Sequence, residues 1–125
     1  MTFSAKSRIP VYVPERGDVI HTDFSPFAGS ETALKHYAVV LTSKAYNEKI
    51  GRVIVCPITS KIRGFPFNLA LPALPPQLPA AGEIMVDQIR AVDLRTCGSN
   101  LAGHVDEGTL RDIVDLLFEL VETQE

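Results

Sequence analysis

A mainly β fold, a small barrel or sandwich followed by one amphipathic helix, is the class this sequence predicts. Three observations carry that expectation. Short apolar runs recur between Gly, Pro and Asn turn residues through the first two thirds of the chain. After residue 106 the apolar period changes to that of a helix. The length of 125 residues, with 46% hydrophobic and 22% charged side chains, suits a single core.

Residues 1–10 show no apolar pattern and are expected to form a flexible arm ahead of one domain spanning residues 11–125. A Gly17-Asp18 turn introduces a strand over Val19–Phe24. Residues 25–34 hold Pro26 and Gly29 and are a loop. Tyr37–Thr42 is almost continuously apolar, as a strand buried on both faces must be. Asn47–Gly51 is expected to turn the chain, with Asn47 shaping the turn, and Arg52–Ile58 returns as a second buried strand rich in Val and Ile. That pair is expected to form a hairpin. A polar, basic loop over Thr59–Gly64 leads to a strand over Phe67–Leu71. Pro72, Pro75, Pro76 and Pro79 make the next segment an extended connector. Glu83–Val86 and Ile89–Leu94 read as two short strands around Asp87-Gln88. Last, Leu110, Ile113, Val114, Leu117, Leu120 and Val121 align on one helix face, with Asp106 as N-cap and Glu107 in the first turn. Leu116 and Phe118 widen that face beyond one stripe.

Two cysteines, Cys56 and Cys97, are too few and too distant for a disulfide scaffold or a zinc site, and read as buried small hydrophobes. No apolar run reaches the roughly 18 residues of a membrane span, and the N-terminus has no apolar signal core. The expected address is cytoplasmic. The net charge of −3 argues against indiscriminate nucleic-acid binding, yet the charge is uneven. Residues 1–70 carry nine basic and five acidic residues, a balance of +4, and the remainder carries −7. Such asymmetry suits a polyanion-facing half and a solvated or partner-facing half.

The ordered set Asp23-Phe24-Ser25-Pro26, Gly29-Ser30-Glu31, Ala38-Val39-Val40-Leu41, Pro57-Ile58-Thr59-Ser60, Phe65-Pro66-Phe67 and Val86-Asp87-Gln88 resembles the MazF/PemK toxins across roughly residues 11–122. The resemblance implies an SH3-like small barrel with a C-terminal helix, a homodimer, and cleavage of single-stranded RNA without metal or other cofactor. It implies a partner too, a MazE-like antitoxin that lays an extended acidic tail across the RNA groove. No membrane is implied. In such chemistry the substrate's 2′-hydroxyl attacks its own phosphate, leaving a 2′,3′-cyclic phosphate and a 5′-hydroxyl. The protein supplies a base, a donor to the leaving oxygen and stabilisation of the charged phosphorane.

The family's catalytic threonine maps onto Thr59. Its catalytic arginine position is occupied by His36, with Lys35 beside it and Tyr37 where the family has proline. Three outcomes stay open. His36 acts as the acid–base, since an unperturbed imidazole titrates near pH ~6.5; Lys35 supplies the cation; or the chain is catalytically weak. Glu31 matches a family carboxylate and either orients His36 or Lys35 or caps its loop. Ser30, Lys61 and Arg63 are candidate phosphate contacts. Phe65 and Phe67, two residues apart on an expected strand, share a face that serves either base stacking or core packing. Gln88 is placed to read a base edge, Asp87 equally serves a turn, and Arg90, which shares the face of Gln88 if that segment is a strand, is a candidate phosphate contact. His21 and His104 have no partner pattern and receive no role. Competing readings are a non-enzymatic binder on the same barrel, a gyrase-poisoning relative, and a plain SH3-like interaction module.

Overall fold

The computed structural model describes residues 12–22, 37–71, 81–95 and 98–122. Seven strands form one antiparallel sheet: β1 (Asp18–Thr22), β2 (Tyr37–Val40), β3 (Arg52–Thr59), β4 (Asn68–Leu71), β5 (Gly82–Met85), β6 (Arg90–Asp93) and β7 (Ser99–His104). Helix α1 (Lys44–Ile50) joins β2 to β3, a 3-10 turn (Val86–Gln88) joins β5 to β6, and helix α2 (Glu107–Val121) ends the fold. The order across the sheet is β4-β5-β3-β2-β1-β7, with β6 also paired to β3. Among the described residues no pairing closes the sheet into a barrel.

Strand β3 organises this arrangement. One of its edges pairs with β2, in the register Ala38↔Pro57, Val39↔Cys56 and Val40↔Val55. The other edge pairs first with β6, from Arg52↔Asp93 to Val55↔Arg90, and then with β5, at Ile58↔Ile84 and Thr59↔Glu83. Pro57, which has no N–H for a ladder, lies between those two stretches.

Side chains alternate across a strand, and here both faces find cover. Val19, Val39, Cys56, Ile58 and Ile84 pack with Leu110 and Ile113 of α2. Ile20, Ala38, Val40, Val53, Val55 and Val92 form a second core on the other face, joined by Tyr12 and Leu94. This two-sided burial is the reason β2 and β3 carry near-continuous apolar sequence. Asp106 caps α2 as expected, its Oδ1 accepting from the Thr109 N–H at 2.8 Å. Cys56 is fully buried, and burial pushes its thiol up to about 12.

Four expectations are corrected. The connection between β2 and β3 is not a tight hairpin turn; it is a seven-residue helix capped by Ser43 and ended by Gly51 at φ 79°. Asn47 therefore sits inside a helix, fully buried. Its Nδ2 donates to the Pro14 carbonyl at 2.8 Å and the Thr42 carbonyl at 3.1 Å, and its Oδ1 accepts from Thr42 Oγ1 at 2.6 Å. Asp87-Gln88 lies in a 3-10 turn, so Gln88 and Arg90 do not share a strand face. Phe65 and Phe67 precede β4 in a turn and are not strand residues. Finally, β7 was not expected, because Ser99-Asn100-Leu101-Ala102-Gly103-His104 has little β-forming composition; pairing with β1 makes it a strand. The N-terminal arm, the loop over residues 25–34, the Pro-rich connector over 72–80 and Cys97 lie outside the described residues.

Asn47→Ala removes the side-chain partner of the buried Pro14 carbonyl, of the part-buried Thr42 carbonyl and of the Thr42 hydroxyl. Urea denaturation is expected to show a loss of about 2–3 kcal/mol in unfolding free energy with an unchanged slope.

Candidate functional site

Every second residue of β3 reads Val53, Val55, Pro57, Thr59 along one face. The first two belong to the second core. Ile58 and Ile84 turn the other way, into the core under α2. Thr59 and Glu83 are cross-strand partners, so they share a face and stand side by side where that face turns polar. Both are buried, at 6% and 5% exposure.

These two side chains hold the basic loop. Thr59 Oγ1 accepts from the Lys61 N–H at 3.2 Å. The Glu83 carboxylate accepts from the Arg63 N–H at 3.2 Å, the Gly64 N–H at 2.9 Å and Asn68 Nδ2 at 2.8 Å. Gly64 has φ +68°, a conformation that favours glycine and lets consecutive N–H groups point at one acceptor. Asn68 Oδ1 is buried and finds no partner among the described residues, an arrangement that costs about 1–3 kcal/mol. The Asn68 amide donation, followed by the Gly64 and Arg63 N–H groups and the Arg63 charge, holds the Glu83 carboxyl below its usual range against the opposing effect of burial.

Hung in this way, the loop exposes Lys61, Ile62 and Arg63. The Arg63 guanidinium lies 5.7 Å over the Phe65 ring, within cation–π range. Phe65 and Phe67 pack with ring centroids 5.1 Å apart, so the expected neighbourhood of the two rings holds although the strand does not. Phe65 remains 40% exposed and Phe67 is partly buried. The Val86 N–H donates to the Phe67 carbonyl at 3.3 Å, tying the 3-10 turn to this segment. Asp87 and Gln88 of that turn are exposed.

The structure thus gathers Thr59, Lys61, Arg63 and Phe65 around one loop and ties the Gln88 turn to it. Arg90 lies on β6, opposite Val55 and away from the strand end that holds Thr59. Ser30, Glu31, Lys35 and His36 lie outside the described residues. Glu83 was missed. The only sequence signal was an acid at the head of an apolar strand, which reads equally well as a solvated position.

Two histidines without an assigned role have partners. His21 meets Tyr37 edge-to-face at 4.8 Å, across their β1–β2 pair. His104 Nδ1 lies 2.9 Å from Asp18 Oδ1, and that carboxylate also accepts from the Tyr12 hydroxyl and the Glu15 N–H. This cluster fastens the segment before β1 to the end of β7. A cavity of about 390 Å³ lies at the opposite end of β3 from Thr59, between Tyr12, Asn47, Gly51 and Leu94, and holds none of the candidate residues. Among the described residues no three His, Cys, Asp or Glu side chains converge as a metal site, and no helix is long and apolar enough to cross a membrane.

A sheet with two covered faces, a C-terminal helix and a threonine-anchored basic loop define a class of small, mainly β proteins, and comparison with known proteins makes it specific. The family model of the PemK-like, MazF-like toxin of type II toxin–antitoxin systems matches residues 15–121. The endoribonuclease toxin MazF of Escherichia coli strain K12 is 36% identical over 94 residues, covering 75% of this chain and 81% of that one. The crystal structure of MazF from Deinococcus radiodurans superposes with a TM-score of 0.75 at 31% identity, covering 90% of this chain and 99% of that one. A MazE–MazF structure from the same organism gives 0.72 at 28% identity, with 90% and 99% covered. The chain belongs to the PemK/MazF toxin family.

The depressed Glu83 value fixes a pH dependence. A carboxyl held low in the folded state stabilises above its unfolded value, near ~4.3, and that contribution is lost as pH falls through the folded value. Hydrogen exchange at the Arg63 and Gly64 amides is expected to stay slow from neutral pH down to that region. Relative to other loop amides it accelerates below it.

Proposed function

We propose that this chain is an endoribonuclease toxin of a type II toxin–antitoxin system, cutting single-stranded RNA through attack of the 2′-hydroxyl on the adjacent phosphate. The observation that carries the reading is the placement of Thr59 at the head of a loop bearing Lys61 and Arg63, beside exposed Phe65, in a chain of this family. Thr59 Oγ1 spends one lone pair on the Lys61 N–H and keeps its O–H to donate to a phosphorane oxygen. Lys61 and Arg63 neutralise flanking phosphates. Phe65, backed by Phe67, offers a face for an unpaired base. Gln88, exposed on the neighbouring turn, reads a base edge, Arg90 contacts the strand farther out, and Ser30 is assigned a phosphate contact from its motif.

His36 is assigned the proton transfers. Tyr37, the next residue, packs on the core under α2 and is not available for that role; the assignment of His36 rests on its place at the family's arginine position in the sequence. Lys35 is the alternative cation and Glu31 the carboxylate that orients either. The leaving 5′-oxygen takes a proton from the acid, and the products are a 2′,3′-cyclic phosphate and a 5′-hydroxyl. The protein works as a cytoplasmic homodimer silenced by a MazE-like antitoxin with an acidic tail. The exposed Val114, Phe118 and Val121 of α2 and the MazE–MazF relatives support that assembly. A second reading, a binder with weak chemistry, is favoured by His36 at the family's arginine position.

Purified protein incubated with mixed-sequence RNA in excess EDTA is expected to leave cyclic phosphate and 5′-hydroxyl ends, mapped by end-selective ligation. Intact RNA at high enzyme and long times counts against the reading. Thr59→Ala and His36→Ala are each expected to lower the cleavage rate at least about tenfold. Cleavage by His36→Arg alone, with none by the natural chain, selects the binder.

A further inference from the structure

Glu83 fits neither the chemistry nor the core. A buried acid beside a proposed RNA groove is unfavourable for polyanion binding unless it does something there. Its two oxygens take the Arg63 and Gly64 N–H groups, and Oε1 also takes Asn68 Nδ2. Thr59, its partner across the ladder, takes the Lys61 N–H. Adjacent side chains therefore fix both ends of a four-residue loop. The only cations in that loop, Lys61 and Arg63, point outward from it.

We propose that Glu83 is a positioning residue for RNA. It holds the backbone of the 61–64 loop so that Lys61 and Arg63 meet successive phosphates of the bound strand, with Arg63 also seated over Phe65. Asn68 serves this role through Glu83, its amide turned to the carboxylate while its own oxygen finds no partner among the described residues. This inference rests on the ribonuclease reading of the site. It makes a counterintuitive claim: removing a negative charge beside the groove weakens RNA binding, where a simple through-space effect strengthens it.

The test compares the wild-type protein, Glu83→Gln, Asn68→Ala, the Lys61→Ala/Arg63→Ala double variant, and Glu83→Gln placed on that double variant. The probe is a labelled mixed-sequence 2′-O-methyl oligoribonucleotide, which lacks the attacking hydroxyl. Its Kd is measured by fluorescence anisotropy across a salt series, beside thermal midpoints and exchange rates of the Arg63 and Gly64 amides. Glu83→Gln is expected to speed exchange at both amides, raise Kd about fivefold and flatten the log Kd against log salt slope by about 1. Asn68→Ala gives a smaller change in the same direction. On the double variant, Glu83→Gln adds nothing to Kd, because the contacts it organises are already gone. Unchanged amide exchange overturns the proposal, as does tighter or equal binding by Glu83→Gln. An equal loss on both backgrounds overturns it too, since that marks a general stability effect. If the natural chain binds no RNA while the amides still loosen in Glu83→Gln, the site reading fails, and this assignment fails with it; the exchange data tell the two failures apart.

Discussion

The constraint on which this fold depends is the double commitment of β3. Both its edges are paired and both its faces are covered through Ile58. A strand buried in this way cannot slip register without moving every side chain to the wrong face. The β2 and β5 registers are therefore pinned, and so is the position of Thr59 at the strand's end. Thr59 is the point at which an obligatorily apolar face becomes free to be polar. That freedom is what a site requires, and the rigidity behind it is what lets a hydroxyl be held to within hydrogen-bond tolerance.

From that point the site is built by backbone capture. Three N–H groups of the loop after β3 end on two side chains that the sheet has already placed. A loop held in this way presents cations with less ordering left to do when a polyanion arrives. In the proposed RNA groove, Glu83 thus occupies a position where its charge would oppose the ligand while its hydrogen bonds hold the loop that would meet it. The two effects act over different distances. The hydrogen bonds are local and buried, whereas the repulsion is exerted across solvent and screened within about 8 Å at physiological salt.

Much of the fold was legible. The unbroken apolar runs in β2 and β3 announced burial on both faces, and the helical period after Asp106 located α2 and its cap. The misreadings share a cause. Asn47-Glu48-Lys49 looks like a turn by local preference, but buried Asn47 is bonded to Pro14, a residue distant in sequence, and that contact makes a helix the better solution. Ser99–His104 is a strand because β1 offers it an edge, and no property of its own composition says so. The grouping of Thr59, Lys61, Arg63 and Phe65 around one loop was legible because they lie within seven residues of sequence, so closeness along the chain carries over to closeness in space.

The sequence by itself determined the family, the β-then-helix order, the two-sided core and the residue types that chemistry on RNA calls for. These follow from ordered motifs and periodicity, which are properties of neighbouring residues. Only the tertiary structure decided that Glu83 stands beside Thr59 and that its carboxylate, not solvent, receives the loop's N–H groups. It also decided that Gln88 sits on a 3-10 turn apart from the face of Arg90. Those outcomes depend on the pairing of strands separated by more than twenty residues, and no local preference encodes which acceptor a distant backbone will find.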